Sequence, residues 1–148
     1  MQLIRGLNHI AVLTEDLDRF IGFYTGIFDL DVLFRETTPA FRHAILRLGS
    51  DSWLHPAEVF DNDHGTANPR MFQRGHLDHL AVTADSPAAF TELRARLVEQ
   101  RASDGMIEDL GPFRSVWFTD PDGMRAELVH IMDPRLQGVH APIPMPTT

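Results

Sequence analysis

The sequence predicts an α+β fold: two βαβββ modules forming a cup-shaped mixed sheet with helices on the outside. Three observations predict it. The hexapeptide LNHIAV at residues 7–12 returns as LDHLAV at residues 77–82. The match extends without gaps, HIAVLTEDLDRF (9–20) on HLAVTADSPAAF (79–90), keeping His, Ala, Val and Phe in place. Each copy is then followed by the same order of patterns, a helical apolar stripe and three strand-like runs. Such self-similarity marks a duplicated supersecondary unit.

In the first copy, LNHIAVL (7–13) has the β-branched and apolar content of a strand. Residues 15–28, EDLDRFIGFYTGIF, place Leu17, Phe20, Ile21, Tyr24 and Phe28 on one helical stripe, with Thr14 available as the cap. Strands are expected at 30–37, 41–48 and 51–60, separated by the turn-forming TPA and GSD. In the second copy HLDHLAVT (76–83) is the strand. Ser86 and Pro87 suit an N-cap and first helical position, and Phe90, Leu93 and Leu97 form the stripe of a helix reaching Gln100. A weak strand at 106–109 follows, then FRSVWFT (113–119) and GMRAELVHI (123–131), joined by the hairpin signal DPDG. One domain is therefore expected over residues 1–148, made of module 5–60, polar linker 61–75, module 76–132 and a Pro-rich tail 133–148. Prolines 134, 142, 144 and 146 predict a tail that is neither helix nor ladder and lies over a surface.

Composition narrows the function. A formal charge of −8, from 21 acidic against 13 basic residues, speaks against a nucleic-acid partner, which needs concentrated positive surface. All 13 basic residues are arginine, so Schiff-base lysine chemistry and a P-loop are excluded. With no cysteine there is no disulfide, thiolate ligand or cysteine nucleophile. No apolar run approaches the roughly 18 residues of a membrane span, and MQLIRGLNHI lacks a charged-then-apolar leader. The expectation is a cytoplasmic protein acting on a small molecule, with neither nucleic acid nor membrane as partner.

Strand parity assigns faces. Ile10 and Val12 point one way, toward the helices, and Leu7, His9, Ala11 and Leu13 the other; Leu80 and Val82 oppose Leu77, His79 and Ala81 in the same manner. On the closing strand Ala126 and Leu128 take core parity, which puts Glu127 and Arg125 on the face of the two histidines. Two imidazoles and one carboxylate lining one cavity form an open 2-His-1-carboxylate set for a divalent Fe, Mn, Ni, Co or Zn ion. By the same parity Phe41, His43, Trp53, Ser115 and Trp117 are wall candidates, and Arg125 suits either an anionic substrate group or a cross-sheet salt bridge. Trp53, Trp117, Ser115 and Arg125 are taken as the substrate-lining set. DNDHG (61–65) begins like a calcium loop, but its glycine comes one place early and its twelfth position is Phe72, so it is read as a turn. His64, His76, His130 and His140 are read as surface or loop histidines.

Paired βαβββ units with H-[IL]-A-V openings, a FY late in the first helix and DPDG-x-x-x-E-L at the close resemble the vicinal oxygen chelate superfamily over residues 5–132. That superfamily includes glyoxalase I, fosfomycin-resistance metalloenzymes, methylmalonyl-CoA epimerase, extradiol dioxygenases and bleomycin-binding proteins. The resemblance implies metal ligands at His9, His79 and Glu127, with Glu127 as ligand or base. It implies a fourth position on the last strand of the first module, where the repeat count favours His55 as ligand and keeps Glu58, three residues on, as the alternative ligand, otherwise a solvated strand-end carboxylate. It also implies a homodimer with sites at module junctions. The leading expectation is a glyoxalase- or dioxygenase-like metalloenzyme (a lyase, isomerase or dioxygenase) chelating adjacent oxygens of a small substrate. The rival is a metal-free drug-binding protein of bleomycin-resistance type.

Overall fold

The computed structural model describes Leu3, residues 6–62, Arg74 and residues 77–146. The chain divides into two compact units, Met1–Thr66 and Ala67–Thr148. Among the described residues, no helix is long and apolar enough to cross a membrane. The candidate calcium stretch beyond Asn62, most of the linker, His64 and His76 lie outside the described residues.

The first unit runs β1 (His9–Leu13), α1 (Leu17–Phe28), β2 (Val32–Thr37), β3 (Phe41–Arg47) and β4 (Trp53–Val59). Its sheet has the order β1-β4-β3-β2, with β1 parallel to β4 and the other pairs antiparallel. The helix starts at Asp16 rather than Thr14: the Asp16 carboxylate accepts the N–H groups of Asp18 and Arg19. A carboxylate matches both the orphan donors and the positive end of the helix dipole. Thr14 instead shapes the preceding turn, its hydroxyl taking the Asp16 N–H. Leu17, Phe20, Ile21, Tyr24 and Ile27 are the buried stripe. Phe28, expected in that stripe, is only half-buried and stacks on Tyr24 at 5.9 Å, because Ile27 takes the inward position of the last turn. Ala44, Leu46 and Leu54, with 0% exposure, supply the buried side of the sheet. Pro56 breaks the β3–β4 ladder locally, yet the pairing His43↔Ala57 and Leu46↔Leu54 keeps one register, so no bulge flips the strand.

The second unit runs β5 (Leu80–Thr83), α2 (Pro87–Glu99), β6 (Ile107–Asp109), β7 (Phe113–Thr119), β8 (Arg125–Ile131) and β9 (Ile143–Pro144), in the sheet order β5-β8-β7-β6-β9. Ser86 caps α2 by accepting the Ala89 N–H, and Pro87 occupies the first turn. Phe90 and Leu97 bury while Leu93 is half-buried, and Val116, Phe118, Ala126 and Leu128 fill the core face of the sheet. Asp120 closes the DPDG turn, its carboxylate accepting from the N–H groups of Asp122 and Met124 while Gly123 takes φ 87°.

The tail departs from expectation. It does form a ladder: β9 pairs with β6 through Glu108↔Pro144 and Asp109↔Ile143, and the Met145 N–H reaches the Ile107 carbonyl. Pro144 is tolerated because β9 is the outermost strand and its missing donor faces no partner.

The repeat holds at the level of register. Ala11 lies beside His55 across the parallel β1–β4 pair, and Ala81 lies beside Glu127 across β5–β8. His55 and Glu127 are thus the same position in the two modules.

Candidate functional site

In the second unit the side chains facing away from α2 come from three neighbouring strands. His79 immediately precedes β5, Glu127 is on β8, and Ser115 and Trp117 are on β7, Trp117 directly opposite Glu127. His79 Nδ1 is 2.9 Å from Asp78 Oδ2, which fixes the ring and leaves Nε2 pointing at Glu127. His79 Nε2 and Glu127 Oε2 are 3.7 Å apart, too far for a hydrogen bond. Two ligands held at about 2.1 Å by one tetrahedral ion would be about 3.4 Å apart, so a few tenths of an ångström separate this pair from a shared ion. Glu127 is 7% exposed, and burial pushes its carboxyl above the ordinary range. The His79 ring and the Ser115 hydroxyl pull the other way, and Glu108 adds to the rise. The Ser115 hydroxyl, itself buried, is near enough to act electrostatically but makes no hydrogen bond of good geometry.

The first unit repeats the imidazole half of this plan. His9 Nδ1 is 2.7 Å from Asn8 Oδ1, so the residue before each repeat histidine holds the same ring nitrogen. His9 and His55 rings lie edge to face at 5.7 Å. His55 Nε2 is 2.8 Å from His43 Nδ1, and His43 Nε2 is 3.0 Å from Glu36 Oε2. With His43 neutral and donating to Glu36, its Nδ1 must accept from His55, which leaves the lone pair of His55 on Nδ1. Burial first, then the neighbouring His43 and His9, holds the His55 pKa below its ordinary value. Trp53, beside His9 in the register, continues this face.

A cavity of about 470 Å³ opens in the second unit beside the Glu127 strand, bordered by Trp117, Glu108, Thr119 and Arg125 of the sheet and by residues following α2. The Trp117 indole donates to Glu108 at 3.0 Å, touches the His79 ring edge-on at 5.0 Å, and carries the Arg125 guanidinium 5.3 Å from its centroid.

The structure therefore brings His79 together with Glu127, Trp117 and Ser115, and His9 together with His55, in separate units. Among the described residues no group of three or more His, Cys, Asp or Glu side chains within reach of one ion is present. The donor chemistry still fits a divalent ion: imidazoles oriented through Nδ1 by an acidic or amide neighbour, each offering Nε2, and a desolvated carboxylate. Glu58 is not a solvated carboxylate. Its side chain is 17% exposed on the opposite face, where Oε2 accepts from the Leu17 N–H at 2.7 Å and pairs with Arg42. His130, the same repeat position, likewise faces its helix and packs half-buried on Phe90 at 5.9 Å, rather than lying on the surface. His140 is exposed, as expected. Sequence reasoning missed Asn8, Asp78 and Glu36. The signal for the first two stood in the repeat itself, an acceptor side chain before each histidine.

Comparison with known proteins agrees with this architecture. The family model described as Glyoxalase/Bleomycin resistance protein/Dioxygenase superfamily matches residues 6–128. A metallothiol transferase FosB of Staphylococcus saprophyticus is 28% identical over 85% of this chain and 77% of its own. The glyoxylase/bleomycin resistance protein/dioxygenase domain from Frankia sp. EAN1pec superposes with a TM-score of 0.70 at 24% identity, covering 86% of this chain and 98% of that one. A fosfomycin resistance protein FosX variant from Listeria monocytogenes, solved with Mn(II) and a dihydroxypropylphosphonic acid, gives a TM-score of 0.60 at 19% identity over 86% and 93% of the two chains.

Proposed function

This chain belongs to the glyoxalase/bleomycin resistance/dioxygenase superfamily, and from that premise we propose that it is a divalent-metal-dependent enzyme of glyoxalase or dioxygenase type. His9, His79 and Glu127 hold the ion, and His55 is the fourth donor. Fe, Mn, Ni, Co and Zn all suit a set of imidazoles and a carboxylate. The bound ion supplies Lewis acidity toward two adjacent oxygens of a small substrate. One observation carries the reading: the repeated device of an acceptor residue fixing Nδ1 of His9 and of His79, which leaves Nε2 of each as the nitrogen to offer an ion.

The protein's own groups do the rest. Glu127 serves as a ligand throughout or, once released from the ion, as the base that takes the substrate proton. Ser115, Trp117 and Trp53 bound the substrate and exclude water from it. We assign the protein to a homodimer working in the cytoplasm. Metal analysis of protein purified without chelator tests the reading. The expected result is a stoichiometric transition metal that His79→Ala loses; no metal, with uptake unaltered by His79→Ala, overturns it. A monomeric mass by light scattering at micromolar concentration overturns the homodimer. The second reading is a metal-free protein sequestering a small ligand, and the same metal analysis decides between them.

A further inference from the structure

Arg125 carries a guanidinium with five donors, and the structure engages it with one hydrogen bond, Nη1 to the Thr119 hydroxyl at 3.2 Å. Its other contact is the Trp117 indole, 5.3 Å below. Across the same cavity Arg101 projects from the left-handed turn that ends α2, at φ 57°. Among the described residues neither arginine has an acidic partner. The acids bordering the cavity are already engaged: Glu108 accepts from the Trp117 indole at 3.0 Å, and Asp104 accepts the Met106 N–H at 2.9 Å. The cavity therefore holds two guanidiniums with donors to spare and two carboxylates with donors supplied. Its formal lining charge cancels, which suits one negative charge and disfavours a polyanion.

We propose that this cavity is a carboxylate-binding subsite centred on Arg125, with Arg101 as the second cation. Arg125 is held beside Trp117 and bonded to Thr119 at the wall of the cavity, where a guanidinium offers two parallel donors to the two oxygens of a carboxylate. The subsite also defines the substrate class, a step that rests on the metal reading above. Glu127 and Arg125 are two residues apart on β8 and point to the same face, about 7 Å from each other along the strand. Trp117 and Thr119 are their partners across the sheet, so a ligand passing Trp117 reaches both. The substrate is then an acid whose carboxylate is a separate group from its chelating oxygen pair. A compact molecule whose only acidic group also chelates the ion leaves Arg125 unused.

Trp117 reports on the subsite directly. The sequence has two tryptophans, so Trp53→Phe leaves Trp117 as the single tryptophan, read by excitation on the red edge where Tyr24 does not absorb. In that background, with chelator present, 3-phenylpropionate and its neutral counterpart 3-phenylpropanamide are titrated against Trp117 emission. The expected result is saturation by the carboxylate at about tenfold lower concentration than by the amide. Arg125→Met removes the preference, Arg125→Lys keeps part of it, and Arg101→Asn, suited to the left-handed turn, weakens it. Circular dichroism and melting of each variant separate misfolding from lost recognition. Equal binding of the two probes, or a preference that survives Arg125→Met in a folded protein, overturns the proposal. Metal uptake is measured separately on the same protein. A carboxylate preference without metal sinks the metal reading and keeps the subsite; metal without the preference does the reverse.

Discussion

Asp78→Ala tests how the second unit presents its imidazole. The Asp78 carboxylate holds His79 Nδ1 at 2.9 Å, and its side chain is 32% exposed. Without it the ring is free to rotate and to place its proton on Nε2, the atom that faces Glu127. Outer-shell partners of ligating histidines are worth about 10- to 100-fold in metal affinity. Partial exposure screens this one, so the lower half of that range applies, about 10- to 30-fold or ~1.4–2 kcal/mol. Asn8 offers His9 a neutral acceptor on an exposed strand end, and Asn8→Ala is expected to cost only about 2- to 5-fold. The assay is competition of Zn²⁺ or Mn²⁺ between the protein and a chromophoric chelator at neutral pH. Asp78→Asn, which keeps an oxygen for Nδ1–H, should recover most of the loss. The melting temperature of the metal-free protein should move little in all three variants. If Asp78→Ala binds metal like the parent, or loses no more than Asn8→Ala, the orienting argument is wrong.

Three further predictions concern the scaffold. Glu58→Gln removes the charge that joins the Leu17 N–H to Arg42 at 2.7 Å each, and should cost about 1–2 kcal/mol in urea unfolding; a neutral result would return Glu58 to the solvated reading. Gly111 has φ 94°, and a Cβ there would meet the Gly138 carbonyl oxygen at 2.6 Å, so Gly111→Ala should destabilise by about 1–3 kcal/mol and loosen the tail. Hydrogen exchange at the Met145 N–H, bonded to Ile107, reads that loosening, and unchanged protection would show the tail docks independently. Burial pushes the Asp120 carboxyl above 3.8, against the pull of its backbone N–H donors. A carboxyl with a raised folded value holds its proton longer in the folded chain. Its contribution to stability therefore falls as pH rises from 3.8 toward the folded value, and stays flat beyond. Asp120→Asn should flatten that slope in denaturant midpoints measured across the acid range.

The duplicated pattern made most of the fold legible. Apolar periodicity placed the strands of both modules within about two residues, except that β5 starts at Leu80 rather than 76; most strands bury one face and therefore alternate, although β2 is exposed along its length. Parity also predicted that His55 and Glu58 point to opposite faces, and the unbroken register across Pro56 bears this out. What escaped were choices between local competitors. Asp16 rather than Thr14 caps α1, since a carboxylate outcompetes a hydroxyl at a positive helix end. Ile27 rather than Phe28 completes the stripe, since the last turn tilts the larger ring outward onto Tyr24. The β9 pairing escaped because prolines forbid a central strand but not an edge one. The acceptors behind the site, Asn8, Asp78 and Glu36, were missed because attention stayed on residue types that bind metals, not on the neighbours that orient them.

The difference between the two modules is as informative as their likeness. At one repeat position the first unit carries His55 and the second Glu127. His55 is kept neutral by burial and by His43 and His9, and its hydrogen-bonded chain ends on the exposed carboxylate of Glu36. Glu127 is buried beside a single imidazole. Had both modules kept a carboxylate, two anions would offset the charge of a divalent ion, and little field would remain for a substrate oxygen. In the proposed site one carboxylate among imidazoles would leave about one positive charge on a divalent ion, enough to favour an anionic chelating oxygen pair over water. The same logic explains why the free guanidiniums belong in the second unit. There Glu127 and Glu108 put two carboxylates on one sheet face, Asp104 adds a third from the loop after α2, and Arg101 and Arg125 are what make the cavity hospitable to an acid.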